Sequence, residues 1–199
     1  MKAGSFYFLF FVAGILTGIA GILPAWITQS SLDLYTLYLL LFLVGCGIGS
    51  DTQAVQNLLR LNLRTLLLPG CVAIGSILGA GILSFLLRDI NLMDSMAVGA
   101  GFGYYSLSSI LIAQIRGEEL GVIALLANVF REVGTLLFAP FYARFFGKLA
   151  PIASGGATSM DTTLPVIQKY SGIQYAILSV INGVILSIAV PILVPLILA

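Results

Sequence analysis

The sequence contains no histidine and only two cysteines among its 199 residues. Without histidine, imidazole catalysis and histidine ligation of metals are excluded. Cys46 and Cys71 lie in separate apolar runs and form no CxxC pair, so we interpret them as small packing residues. The sequence therefore predicts neither a metal site nor a cofactor.

Charged residues are equally scarce. They make up 9% of the chain, against about 25% in a typical soluble domain, while 59% of the residues are hydrophobic. A formal net charge of +1 provides no basic face for nucleic acid. Several apolar runs approach the roughly 20 residues that cross a bilayer. The composition predicts an all-α integral membrane protein, a polytopic helical bundle within the lipid bilayer.

Five apolar runs are predicted to span the membrane. They cover residues 5–23, 34–49, 63–87, 121–143 and 174–198. The first is too long for the apolar core of a signal peptide, and Pro24 and Trp26 follow it instead of a cleavage site. We expect residues 1–199 to form a single transmembrane transporter domain.

Two further regions are apolar but interrupted, at residues 95–115 and 152–169. Non-helical backbone survives in a membrane only where it is buried in protein or lines a cavity. Paired interruptions of this kind indicate the binding site of a transporter. We predict that both segments are broken or re-entrant. The predicted hinge residues are Gly101, Gly103, Gly155, Gly156 and Pro165.

The few cationic residues give the expected orientation. Arg60 and Arg64 favour a cytoplasmic loop between the second and third spans. The interrupted regions either re-enter or cross, which leaves five or seven crossings open. Both topologies place the C-terminus outside.

Glu132 lies near the middle of the predicted span 121–143, where a carboxylate is costly. Asn128 and Thr135 share its helical face. Ionisable residues inside a membrane indicate a functional site, so we predict that Glu132 binds substrate or a proton. The alternative is a structural ion pair of Glu132 with Arg131 or with another cation.

Asp161 ends the run Thr158–Asp161, which has the form of a capping box at a helix start. Asp161 either binds substrate or a proton, or simply caps a half-helix. In both cases the positive end of the helix dipole would point at a cavity. The other predicted ligands are Tyr105, Ser106, Ser108, Asn128, Thr158 and Ser159. Outside this site, Arg116, Glu118 and Glu119 are expected in a solvated loop.

Four strings resemble the LysO family of bacterial lysine exporters. They are LLLFLVGCGIG at 39–49, AGFGYYSLSSILI at 100–112, ANVFRE at 127–132 and GGATSMDTTLPVIQ at 155–168. The resemblance covers nearly the whole chain. It implies a transporter, not an enzyme, that exports L-lysine and analogues such as thialysine across the bacterial cytoplasmic (inner) membrane. It also places the family's intramembrane acidic positions on Glu132 and Asp161.

Longer family members carry additional N-terminal spans that this chain lacks. The resemblance therefore implies that the chain pairs with a short membrane subunit supplying those spans, or works as a homo-oligomer.

The expected mechanism is antiport. Two buried carboxylates would offset the desolvation of the substrate's ammonium groups, and protons, or alternatively sodium ions, would neutralise the empty site. The alternatives are a cation-coupled transporter of another small solute, a cation channel and a structural membrane subunit. An intramembrane aspartyl protease is disfavoured, because one of the two acids is Glu132 and no protease motif accompanies it.

Overall fold

The computed structural model describes residues 63–86 and 90–199, together with the isolated residues 16, 17, 35, 39, 42, 46 and 50. The chain divides into two compact units, Met1–Phe42 and Leu43–Ala199. Apart from those isolated residues, the predicted spans 5–23 and 34–49 lie outside the described residues. The single transporter domain stays a prediction.

The described segments 63–86 and 90–199 are helical and contain no strand. The α-helices are α1 (Leu63–Ser84), α2 (Leu92–Gly99), α3 (Tyr105–Arg116), α4 (Glu118–Phe145), α5 (Ala150–Gly155), α6 (Leu164–Ser171) and α7 (Ala176–Leu198). Two 3₁₀ turns, Gly156–Met160 and Ile173–Tyr175, precede α6 and α7. The predicted all-α membrane fold is confirmed.

Among the described residues, three helical segments are long and apolar enough to cross a membrane: Leu67–Ser84 in α1, Glu118–Phe145 and Ile173–Leu198. They coincide with the predicted spans 63–87, 121–143 and 174–198. The direction in which each would cross stays a prediction.

Unlike the helices of a soluble protein, the long helices expose many large apolar side chains. Large apolar side chains on the long helices face outward, and Phe130 and Leu137 are 69% and 66% exposed. Polar side chains lie inside, including Asn128, Thr135 and Asn182. Lipid favours this arrangement, because it solvates apolar surface and leaves polar groups to find partners within the protein.

Both predicted interruptions contain a helix break. Residues 100–104 separate α2 from α3, and the 3₁₀ turn with residues 161–163 separates α5 from α6. Whether these segments re-enter or cross stays a prediction. Pro165 lies in the first turn of α6, where the missing N–H leaves no helical bond unmade.

The predicted loop around Arg116 is largely absent. Arg116 ends α3 and Glu118 begins α4, so only Gly117, with a φ of 99°, separates the two helices. The positive φ of this glycine allows the chain to reverse within one residue. The side chains of Arg116, Glu118 and Glu119 are nevertheless exposed, as expected.

Candidate functional site

The two helix breaks meet through their main chains. The Ala157 N–H donates to the Phe102 carbonyl over 2.8 Å. Gly156 has a φ of 61°, and a Cβ atom added there would overlap the Phe102 carbonyl oxygen. Phe102 is fully buried and has a positive φ of 49°. The glycine is required both by its conformation and by the close approach of the two backbones.

Asn128, on α4, satisfies the main chain of the first break. Its Oδ1 accepts from the Gly103 N–H over 2.7 Å. Its Nδ2 donates to the Ala124 carbonyl over 2.9 Å and to the Val98 carbonyl over 3.4 Å. The amide thus replaces helix hydrogen bonds that are lost where α2 ends.

Arg131, one turn further along α4, performs the same task at the second break. Its Nε and Nη2 donate to the Ser154 and Ala153 carbonyls over 2.8 and 2.9 Å. Its Nη1 donates to the Ser76 hydroxyl over 2.8 Å. The guanidinium therefore lies at the C-terminal end of α5, where the helix dipole favours a cation.

The alternative of a structural Arg131–Glu132 ion pair is wrong. The hydrogen bonds of Arg131 go to Ser76 and to the end of α5. Within the described part of the chain, the single ion pair joins Arg116 to Asp94, with 3.2 Å between Nε and Oδ1.

A third set of polar contacts fixes the 3₁₀ turn against α7. Asn182 Nδ2 donates to the Gly156 carbonyl and to Ser159 Oγ, both over 3.0 Å. Ser159 Oγ in turn contacts the Gly156 carbonyl over 2.7 Å and the Ser179 carbonyl over 2.8 Å. Sequence reasoning missed Asn182. An asparagine inside an apolar span was the signal that could have found it.

The capping box predicted at Thr158–Asp161 is wrong. The Thr158 hydroxyl donates back to the Gly155 carbonyl over 2.9 Å, and α6 begins only at Leu164. Asp161 Oδ1 accepts instead from the N–H of its neighbour Thr162 over 2.6 Å. Asp161 therefore does not cap α6 in the predicted way.

Both predicted carboxylates line one small cavity of about 120 Å³, here called the acidic cavity. Its described lining is Gly103, Tyr104, Tyr105, Ser106, Glu132, Ala157, Thr158, Met160, Asp161, Thr162 and Ser187. Of the predicted ligands, Tyr105, Ser106 and Thr158 lie here beside the two acids. Glu132 is half-buried but Asp161 is exposed, so the expectation that both carboxylates are buried is wrong for Asp161.

Neither carboxylate has a cationic partner within the described segments. Asp161 Oδ1 accepts from the main chain and hydroxyl of Thr162, over 2.6 and 3.3 Å. The Glu132 carboxylate makes no hydrogen bond or ion pair with any described residue. The acidic cavity therefore presents two carboxylates and several neutral hydroxyls, which suits a cation.

Three predicted ligands, Ser108, Asn128 and Ser159, lie outside the described lining of the acidic cavity. Asn128 and Ser159 bond to the main chain at the breaks, so the geometry favours a structural part for both. Ser108 is fully buried, and its hydroxyl has no partner in the described part of the chain. A Cβ atom at Gly101 would lie 2.7 Å from that hydroxyl. The motion expected of the hinge residues is untested.

A second cavity of about 410 Å³ lies between α1, α2 and α4. Small and apolar residues form most of its wall, with Asn128, Arg131 and Ser76 among the polar ones. Its described lining contains no carboxylate. The two cavities thus differ in chemistry, and the unpaired negative charge belongs to the smaller one.

Broken helices that meet inside a bundle of apolar helices, with ionisable groups at their meeting point, are typical of secondary transporters. The profile of the family described as lysine exporter LysO matches residues 8–198. The chain belongs to this family.

Two relatives agree with this assignment. The chain is 36% identical over 160 residues to the lysine exporter LysO of Escherichia coli strain K12, covering 80% of this chain and 52% of that protein. It thus spans about half the length of that relative. It is 30% identical over 181 residues to a candidate lysine exporter of Haemophilus influenzae, covering 88% and 91% of the two chains. No solved structure matches.

Proposed function

We propose that this chain exports L-lysine, and close analogues such as thialysine, from the bacterial cytoplasm across the inner membrane in exchange for protons. The observation that carries the proposal is the acidic cavity, which Glu132 and Asp161 both line without a described cationic partner. The family membership and the names of its relatives point to the same substrate.

The charge of the cavity suits the substrate. Lysine carries an ammonium on its side chain and another at its α-carbon, and each offers three N–H donors. Charge-assisted bonds to two carboxylates would offset the loss of water around such a group. Tyr105, Ser106 and Thr158 add hydroxyl-bearing side chains to the lining of the same cavity.

The size of the cavity indicates which part of the substrate it accepts. About 120 Å³ is well below the roughly 300–1,000 Å³ of sites that enclose a whole small molecule. In this conformation the acidic cavity accepts one ammonium end. Binding the complete amino acid then requires the two broken segments to separate.

Exchange with protons follows from the same two acids. Protons taken up from outside neutralise Glu132 and Asp161 and displace the ammonium. The site then returns to the cytoplasmic side, gives up its protons and binds the next lysine. Sodium as the coupling ion, and assembly with a second copy or a short membrane subunit, stay predictions.

The test is counterflow of labelled lysine in proteoliposomes containing the purified chain. We expect saturable lysine counterflow, and lysine efflux that accelerates when the opposite side is acidified. If a sodium gradient alone stimulated lysine transport, sodium would replace the proton as the coupling ion in the mechanism. Absence of saturable lysine transport under all gradients would overturn the proposal.

Two variants test the acids, and one serves as control. Glu132→Gln and Asp161→Asn should each reduce counterflow by at least about 100-fold, since each removes a charge that contacts the substrate. Glu119→Gln is the matched control, because Glu119 is an exposed carboxylate on the same helix as Glu132 and lies outside the acidic cavity. Normal transport in either cavity variant would remove that residue from the mechanism.

A further inference from the structure

Ser187 is a polar residue of the acidic cavity that the mechanism above leaves unused. It lies in the apolar helix α7 and is 1% exposed. Its Oγ has no hydrogen-bond partner in the described part of the chain, and the residue lines the same cavity as Glu132 and Asp161. A buried hydroxyl without a partner is costly, so a ligand in the acidic cavity that pairs with it would bind more tightly.

Another serine of the same helix shows the usual alternative. Ser179 Oγ donates to the Tyr175 carbonyl, one turn earlier, over 3.0 Å. Such back-bonding is the common way for a serine within a helix to satisfy its hydroxyl. Ser187 makes no bond of this kind, and the residue lines the acidic cavity.

The packing of α7 explains how Ser187 comes to line the cavity. Ser179, Gly183 and Ser187 follow one another at intervals of four residues and therefore share one helical face. A Cβ atom at Gly183 would lie 2.6 Å from the Met160 Cβ and 2.7 Å from the Ala157 carbonyl oxygen. The missing side chain lets α7 lie directly on the 3₁₀ turn, and Ser187, one turn later, lines the acidic cavity.

We propose that the Ser187 hydroxyl is the third acceptor for the side-chain ammonium of the substrate, whose other two acceptors are Glu132 and Asp161. An ammonium has three N–H donors, so two carboxylates leave one of them unpaired in a dehydrated site. Ser187 lines the same cavity and has an unpartnered oxygen, which supplies that partner. This inference rests on the proposed function and adds a binding residue to it.

The experiment measures lysine affinity of the purified full chain by titration calorimetry, for the unmodified protein, Ser187→Ala and a matched control. Ser187→Ala should weaken lysine binding by about tenfold, the effect of losing one hydrogen bond to a charged group. Ser171→Ala is the control, because Ser171 is also buried with an unpartnered hydroxyl but lies outside the described lining of the acidic cavity. Its lysine affinity should be unchanged.

Two further readouts separate ligand binding from a structural role. The melting temperature of Ser187→Ala should stay equal or rise, because the substitution removes an unpaired hydroxyl. Dimethylation of the side-chain nitrogen leaves a lysine analogue with its charge and a single N–H, so Ser187→Ala should weaken its binding by less than about threefold. An equal loss for both ligands, or a lower melting temperature, would assign Ser187 a structural role.

The outcomes also distinguish this inference from the proposed function. Lysine binding that is lost in Glu132→Gln but unchanged in Ser187→Ala would overturn the inference on Ser187 alone. Absence of lysine binding by the unmodified chain would overturn both.

Discussion

Replacing Arg131 by alanine is expected to destabilise the fold before it affects any substrate contact. The guanidinium joins three helices: it stands on α4, donates to Ser76 on α1, and donates to the carbonyls of Ala153 and Ser154 on α5. Alanine removes all three bonds. It also leaves two main-chain carbonyls at the end of a short helix without that partner.

The size of the effect follows from these contacts. A hydrogen bond to a charged group contributes about 1.5 kcal/mol at the lower end of the measured range. Three such bonds give roughly 4–5 kcal/mol for Arg131→Ala. A shift of 1 kcal/mol lowers the melting temperature of a chain of this size by about 2–4 °C, so the expected decrease is on the order of 10 °C.

Arg131→Lys sharpens the test. Lysine keeps the positive charge at the end of α5, but its single nitrogen lacks the planar fork that reaches Ser76 on one side and two carbonyls on the other. We expect about half of the loss seen with alanine.

Thermal unfolding of the detergent-purified variants provides the measurement, followed by lysine counterflow for those that remain folded. Arg144→Ala is a suitable control, because Arg144 is an exposed arginine near the end of the same helix. If Arg131→Ala had the same melting temperature as the unmodified chain, these three hydrogen bonds would not be what stabilises the second helix break. Reduced counterflow at an unchanged melting temperature would instead give Arg131 a direct part in transport.

Two further substitutions test how the breaks are held together. Gly156→Ala should prevent correct folding, because its Cβ atom would overlap the Phe102 carbonyl oxygen. Gly134→Ala is the control, because a Cβ atom there has open space, and it should leave the yield of folded protein in size-exclusion chromatography unchanged. Asn128→Ala should lower the melting temperature by several degrees, since it leaves the Gly103 N–H without its partner at a cost of about 1–3 kcal/mol; a melting temperature equal to that of the unmodified chain would contradict this account.

The helices and their breaks could largely be predicted from the sequence. Long apolar runs predicted α1, α4 and α7, because few structures other than a helix satisfy the backbone in lipid. The glycines and hydroxyl residues near positions 101 and 156 predicted the interruptions. These signals are local: each depends on the residues of one segment, so a single sequence contains them.

The ends of the broken helices were harder to predict. The run Thr158–Asp161 matches a capping box, yet the chain continues from Gly156 as a 3₁₀ turn and α6 starts at Leu164. The main chain at position 157 bonds to Phe102, which is distant in sequence. Tertiary contact between the two breaks therefore decided the local conformation, and no pattern within the run records that contact.

The partner of Arg131 was missed for a related reason. Its neighbour Glu132 is adjacent in sequence, but adjacent helical residues do not face each other. The carbonyls of Ala153 and Ser154 lack helical hydrogen-bond partners only because α5 ends there, and the sequence did not predict that end. Asn182 and Ser187 were missed because each is a single polar residue within a long apolar helix.

The polar groups that satisfy the two helix breaks also decide whether the carboxylates of the acidic cavity stay unpaired. A broken helix in lipid must have its free main-chain groups satisfied by something, and here Asn128 and Arg131 do so. If Arg131 paired with Glu132, it would neutralise one of the two negative charges of the acidic cavity. The end of α5 would then lack a cation. Because the guanidinium is held by α5, the carboxylates of Glu132 and Asp161 stay available to a cation from solution. Weakening the Arg131 bonds should therefore lower stability, because the Ala153 and Ser154 carbonyls at the end of α5 would lose their partner.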